Sequence, residues 1–183
     1  MIYSLSLPLT SLLLGLLLTI LGAVLLTQPQ PAARFLKALP RSTLWGNILF
    51  LAGALWFFIL MATIDLMEYT AQRGLFLSII AIGTVLVLIF AREFLAVRGL
   101  GILFLLAAQI LLDSAFLRDD PARLLMTLTA YIAIVLACFW VGAPYLLRDQ
   151  IAWAIASPTR LRTLAWSVTT FGLVFIMLGI FLH

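Results

Sequence analysis

Two polar side chains interrupt an apolar run and are the residues best placed to do chemistry. Gln109 and Asp113 lie in the stretch LLAAQILLDSAF, four positions apart, so a helix would place them on one face. An ionisable side chain within a membrane-spanning helix is costly and marks either pairing or function. Three interpretations stay open: a structural clamp in which Asp113 pairs with Gln109 or with Arg73, Arg118 or Arg123; a hydrated carboxylate near the surface; or a site for a cation, a proton or a polar substrate. We favour the clamp.

More charges follow the same end of the neighbouring apolar runs. They form a predicted outer-side charge cluster: Asp65, Glu68, Arg73, Arg118, Asp119 and Arg123. The acids could form a cation-attracting mouth, but the arginines on the same side favour mutual pairing. Because Asp120 precedes Pro121, we expect it to cap the next helix rather than to bind a ligand. A calcium site needs closely spaced oxygen ligands, which these segments do not supply, so we predict no metal site.

Several reaction types are excluded by the residues that the sequence lacks. The chain has one cysteine, Cys138, and one histidine, His183 at the last position. A disulfide within the chain, a haem held by two histidines and a Ser-His-Asp triad inside the membrane are therefore excluded. We predict that the protein is not an enzyme and has no cofactor. Trp56, Tyr131 and Trp140 are expected to be core residues, with a pocket for a lipid, quinone or pigment as the alternative.

The composition requires a lipid environment. Of 183 residues, 65% are hydrophobic and 10% are charged, whereas soluble domains are about half apolar and a quarter charged. We predict a single domain over 1–183, an all-α polytopic integral membrane protein with six transmembrane helices and short loops. The predicted spans are about 5–27, 43–64, 75–91, 99–118, 122–144 and 161–182. The net charge of +4 comes from residues beside these spans, so we expect no nucleic-acid partner.

The basic residues are distributed unequally between the two sides. Eight of the eleven lie on the side reached after the first, third and fifth spans, and three on the other side. The positive-inside rule places the eight in the cytoplasm and both termini outside. We therefore predict residence in a membrane of prokaryotic cytoplasmic (inner) type. The eight are Arg34, Lys37, Arg41, Arg92, Arg98, Arg148, Arg160 and Arg162.

Two segments on the basic side have the pattern of interfacial amphipathic helices, at about 31–40 and 146–157. In the first, Arg34, Lys37 and Arg41 fall on one helical face, and we predict that they contact lipid headgroups. In the second, Leu147, Ile151 and Ile155 form an apolar stripe, and Trp153 is a predicted interface anchor.

Small residues recur along the first span. Ser11, Gly15, Thr19 and Ala23 are spaced by four, a pattern that allows close approach of another helix. The stripe is either a packing face within the bundle, which we favour, or a face for a partner protein.

These features favour a non-catalytic accessory or structural subunit of a larger membrane protein complex. Its expected partners are the lipid bilayer and other membrane subunits. The alternative is a small-solute or ion transporter, or a substrate-capture component, with a polar site around Asp113 and Gln109. An intramembrane enzyme is the least favoured class, because a general acid or base would have to be Asp113, with little around it to help.

Overall fold

The fold is all-helical throughout the residues that the computed structural model describes, which are 5–91, 93–116, 120 and 122–181. The predicted residues Arg92, Arg118, Asp119 and His183 lie outside this part of the chain. Short 3₁₀ turns occupy Leu39–Arg41 and Met67–Gln72. The α-helices of the described part are α1 (Leu7–Thr27), α2 (Pro29–Ala38), α3 (Thr43–Thr63), α4 (Arg73–Phe90), α5 (Leu95–Ala115), α6 (Ala122–Gly142), α7 (Tyr145–Ile155) and α8 (Pro158–Phe181).

Six of these helices are long and apolar enough to cross a membrane, namely α1, α3, α4 with the 3₁₀ turn before it, α5, α6 and α8. The shorter of them have 21 residues, which at 1.5 Å per residue is about 32 Å and matches a hydrocarbon core of about 30 Å. The short helices α2 and α7 coincide with the two predicted interfacial segments.

The junction between α4 and α5 differs from the prediction. The predicted third span ended at about residue 91, and the predicted fourth span began at about residue 99. Instead α4 ends at Phe90, and α5 begins at Leu95. Phe94 has φ of 53°, a left-handed conformation that separates the two helices. Helix α5 also ends at Ala115, three residues before the predicted end of the span.

Two helices begin with the hydrogen bonds typical of a helix N-terminus. The hydroxyl of Ser42 accepts from the backbone N–H of Trp45 at 3.2 Å, the bond expected of an N-cap residue. The carbonyl of Ser157 accepts from the N–H of Leu161 at 3.1 Å, and α8 begins at Pro158. Proline fits this first helical position because its missing N–H would have no partner there.

Helices α1 and α8 form the closest antiparallel pair. A Cβ atom on Gly15 would lie 2.7 Å from the carbonyl oxygen of Gly172, and one on Gly179 would lie 2.6 Å from the side chain of Leu12. No real Cβ atom tolerates such distances to a backbone, so glycine is required where the two helices cross.

Helix α5 occupies the centre of the bundle. It runs parallel to α3, where a Cβ on Gly99 would meet the backbone of Phe50 at 2.5 Å, and antiparallel to α6, where Gly101 faces Val141. One apolar cluster joins α1, α5, α6 and α8 and contains Leu7, Ala108, Leu111, Ala115, Met126, Ala130 and Phe175. A second cluster, of Val97, Trp140 and Leu147, joins α5 and α6 to α7.

Helix α4 stands at the edge of the bundle. None of its residues is buried, although it is as apolar as the other candidate spans. It packs mainly against α3. An apolar groove of about 420 Å³ separates it from α5 and is lined by Phe57, Gly83 and Leu105 among others.

Candidate functional site

The structure brings Gln109 and Asp113 together as the sequence pattern indicates. The Nε2 of Gln109 donates to Oδ1 of Asp113 at 3.3 Å, and both side chains are half-buried. The bond is long for an amide–carboxylate contact, and Asp113 has a further interaction besides it. The hydrogen bond between the two side chains is the one expected of the clamp, whose structural role stays a prediction.

The pair lies closer to the end of its helix than expected. Asp113 is two residues before the end of α5, which is about 3 Å along the helix axis. The prediction placed it four or five residues, about 6–8 Å, from that end because the span was drawn to residue 118. Buried residues of one apolar cluster lie on both sides of the carboxylate along α5, with Leu111 before it and Ala115 after it. Asp113 is near the end of α5, here called the rim, rather than halfway along a span.

The described residues of the predicted outer-side charge cluster that follow α3 form hydrogen bonds within their own loop. Oδ1 of Asp65 accepts from the N–H of Met67 at 3.0 Å, and this turn holds Met67 at φ of 47°. The Nη2 of Arg73 donates to the carbonyl of Ile64 at 2.7 Å, which closes the loop between α3 and α4. Glu68 is exposed.

The remaining charged residues of this cluster, and Asp120 beside it, add no evidence for a cation-attracting mouth. Arg123, near the start of α6, has an interaction partner. Arg118 and Asp119 lie outside the described residues. Asp120 is exposed, and its carbonyl accepts from the N–H of Arg123 at 3.0 Å, as expected of a residue that precedes a helix.

Metal-binding groups are absent from the described part of the chain, where no three His, Cys, Asp or Glu side chains come together. Cys138 is exposed on α6. The hydroxyls of Thr84, Thr129 and Thr169 donate to carbonyls one turn earlier in their own helices. Such bonds satisfy polar groups inside an apolar helix without a ligand.

Three of the four residues in the small-residue stripe face α8. Ser11 and Gly15 are buried, and Thr19 is half-buried beside Gly172. Ala23 is exposed within this chain, and Gly22 takes its place against Thr169. A spacing of strictly four drifts away from a helix that has 3.6 residues per turn, so the contact face moves back by one residue. The stripe is thus used within the chain.

The aromatic residues divide into two groups. Tyr131 is 57% exposed, which contradicts its expected place in the core. Trp140 is buried near the end of α6, where its ring meets Phe104 edge-on and its Nε1 donates to Oε1 of Gln150 on α7 at 3.1 Å. Gln150 was missed in the sequence because nothing in the local pattern links it to a residue ten positions away.

The two short helices α2 and α7 meet at one end of the bundle. Between them lies a cavity of about 260 Å³, lined by Lys37, Pro40 and Arg41 on one side and by Arg148, Ile151, Ala152 and Ile155 on the other. Of the three residues predicted to contact headgroups, Lys37 and Arg41 line this cavity, whereas Arg34 does not. Arg148 was not among the predicted headgroup contacts, because only the packing of α2 against α7 brings it near Lys37 and Arg41.

Aromatic contacts brace the same end. The ring of Phe35 on α2 meets Trp45 on α3 edge-on, with centroids 5.4 Å apart. The guanidinium of Arg160 lies 5.0 Å from the ring centroid of Trp153, which is exposed as an interface anchor would be.

Comparisons with protein families, with curated proteins and with solved structures found no significant match to this chain. Its function is therefore argued from its residues and their geometry.

Proposed function

We propose that the protein is an integral membrane protein without catalytic activity, an accessory or structural subunit that packs within a larger membrane complex. The six apolar helices support the membrane part of the proposal. The subunit part is supported by the scarcity of reactive side chains and by the position of Asp113, the one carboxylate expected inside a span, at the rim.

The observation that carries the proposal is that the rest of the chain leaves α4 without a single buried residue. A span that packs inside a bundle buries part of its surface, yet no residue of α4 is buried by the chain itself. A Cβ on Gly83 would meet no atom within 4 Å, although this glycine faces the groove beside α5. Small residues mark places where membrane helices approach closely. A helix of another subunit in this groove would complete the packing of α4.

The orientation in the membrane is part of the proposal. The basic residues concentrate at the end of the bundle that carries α2 and α7, and the positive-inside rule assigns that end to the cytoplasm. Both chain termini then lie on the outer side of a prokaryotic inner membrane.

A transporter or substrate-capture protein is the second candidate, and the hydrogen bond between Gln109 and Asp113 is the observation in its favour. The groove beside α4 and the cavity between α2 and α7 are both lined by other residues. The pair therefore fits a clamp better than a binding site.

The subunit proposal is tested by purification from the native membrane in a mild detergent, with and without a wedge in the groove. A Cβ on Gly83 would meet no atom within 4 Å, so we expect Gly83→Leu to fold, to occupy part of the groove beside α4 and to lose a stoichiometric partner. Gly142→Leu is the matched control, since a Cβ there also meets nothing within 4 Å. If the unaltered protein runs alone as a monodisperse species, or if both variants keep the partner equally, the proposal is wrong.

A further inference from the structure

The cavity between α2 and α7 combines positive charge with an apolar wall. Lys37 and Arg41 come from α2 and the turn that follows it, and Arg148 comes from the first turns of α7. Ile151, Ala152 and Ile155 continue along α7 below Arg148 and supply the apolar side. Arg148 is more than a hundred residues from Lys37 and Arg41 in the sequence, so only the fold brings it to them.

The helices that form this cavity are held firmly in place. Leu147 is buried in the cluster with Val97 and Trp140, and Gln150 accepts the hydrogen bond of the Trp140 indole. Leu39 and Pro40 are also buried, which fixes the end of α2. The cations therefore project from anchored backbone rather than from free loops.

One carboxylate lies close to the cations. Asp149 pairs with Arg148, with Nη2 and Oδ1 2.8 Å apart, and both side chains are about half exposed. The Nε of Arg148 also donates to that oxygen at 2.9 Å, and the other three N–H donors of the guanidinium are left for another anion. An exposed pair of this kind is worth little. Asp149 itself lines the neighbouring cavity rather than this one. The cavity thus keeps an excess of positive charge.

We propose that this cavity is a binding site for the phosphate headgroup of an anionic membrane phospholipid, with Lys37, Arg41 and Arg148 as its ligands and an acyl chain along Ile151 and Ile155. A volume of about 260 Å³ equals roughly nine water molecules at about 30 Å³ each, enough for a phosphate and a small polar group. Basic pockets at the cytoplasmic ends of membrane helices bind anionic headgroups in this way. The inference rests on the membrane location proposed above, but not on the subunit role.

The apolar wall distinguishes a lipid from a soluble anion. A free phosphate would satisfy the three cations and leave Ile151, Ala152 and Ile155 facing water. A phospholipid covers both surfaces at once, because its phosphate is attached to apolar chains. The exposed Trp153, with Arg160 over its ring, lies on the same helix and suits the headgroup depth.

The site is tested by native mass spectrometry of the full-length protein in a mild detergent, titrated with phosphatidylglycerol or with phosphatidylcholine. We expect the first phosphatidylglycerol to bind more tightly than phosphatidylcholine. The double substitution Lys37→Gln with Arg148→Gln should weaken that binding about 25-fold, since each basic residue near an anionic lipid contributes about a factor of five. Arg34→Gln with Arg162→Gln removes the same charge away from the cavity and should change the binding less than twofold, because neither residue lines it.

A second variant separates the site from general charge and from misfolding. Ala152 is exposed at the cavity wall, so Ala152→Phe should obstruct the cavity, preserve the fold and reduce phosphatidylglycerol binding with no change in charge. Equal weakening by both double substitutions would overturn the site in favour of a diffuse basic surface. Displacement of the lipid by inorganic phosphate at equal concentration would overturn it in favour of a soluble anion. If phosphatidylcholine still binds in either case, the proposed membrane location is unaffected, so the two proposals fail separately.

Discussion

The indole Nε1 of Trp140 donates a hydrogen bond to Oε1 of Gln150 at 3.1 Å and so ties α7 to the end of α6. Trp140 is buried, with its ring against Phe104, while Gln150 reaches it from the exposed side of α7. This bond fixes helix α7, which carries Arg148, and it does so with a residue that the sequence pattern does not single out.

Removing the acceptor of this bond should loosen α7. Gln150→Leu leaves the indole N–H without its partner, and we expect a loss of about 1 kcal/mol in the free energy of unfolding together with faster tryptic cleavage after Arg148. Gln150→Glu keeps an acceptor and should behave like the unaltered protein. Gln30→Leu, at an exposed position of α2, is the control. Unchanged cleavage in Gln150→Leu would mean that packing of Leu147 alone holds the helix.

The crossing of α1 and α8 should not tolerate even a methyl group. A Cβ on Gly172 would lie 2.6 Å from the backbone nitrogen of Thr19, so Gly172→Ala should destabilise the protein by about 1–3 kcal/mol in unfolding experiments on the purified protein in detergent. Gly74→Ala meets no atom within 4 Å and should be neutral or stabilising by up to about 1 kcal/mol, because alanine favours the helix. Equal effects of the two substitutions would contradict the close crossing.

The polar pair on α5 should behave as a clamp. Asp113→Asn keeps the shape of the side chain but removes its charge, and Asp113→Leu also removes its hydrogen-bonding capacity. If the pair is structural, Asp113→Leu lowers the free energy of unfolding by about 1–3 kcal/mol, while Asp113→Asn costs less because an amide can still bond to Gln109. The measurement is unfolding of both variants beside the unaltered protein. If neither changes stability, the carboxylate is only hydrated at the rim and the clamp is wrong.

The proposed orientation has a direct test. In a Cys138→Ala background, a cysteine at position 37 should react with a membrane-impermeant thiol reagent only when the reagent is admitted to the cytoplasmic side. A cysteine at position 68, in the exposed turn at the other end of the bundle, should react only from outside. The reverse labelling pattern would place α2 and α7 on the outer side and contradict the positive-inside assignment.

The sequence predicted best where the physical signal is local. The helix that begins after Ser42 and the one that begins at Pro158 follow from capping chemistry contained in a few residues. The contact between Gln109 and Asp113 follows from their spacing within one helix turn. Prediction was poorer for the start of α5, because the left-handed conformation of Phe94 has no signature in residue type.

The sequence by itself determined that this chain is helical and has six segments long and apolar enough to span a membrane, because length, apolarity and capping are properties of each segment alone. Only the tertiary structure decided which faces of those helices meet. Nearly all faces are apolar, so hydrophobicity could not distinguish Tyr131, which is exposed, from Trp140, which is buried. The shapes of the helix surfaces decide which faces pack together. The glycines of α1 and α8 allow one close crossing, and the packing of α2 against α7 brings Lys37, Arg41 and Arg148 around one cavity.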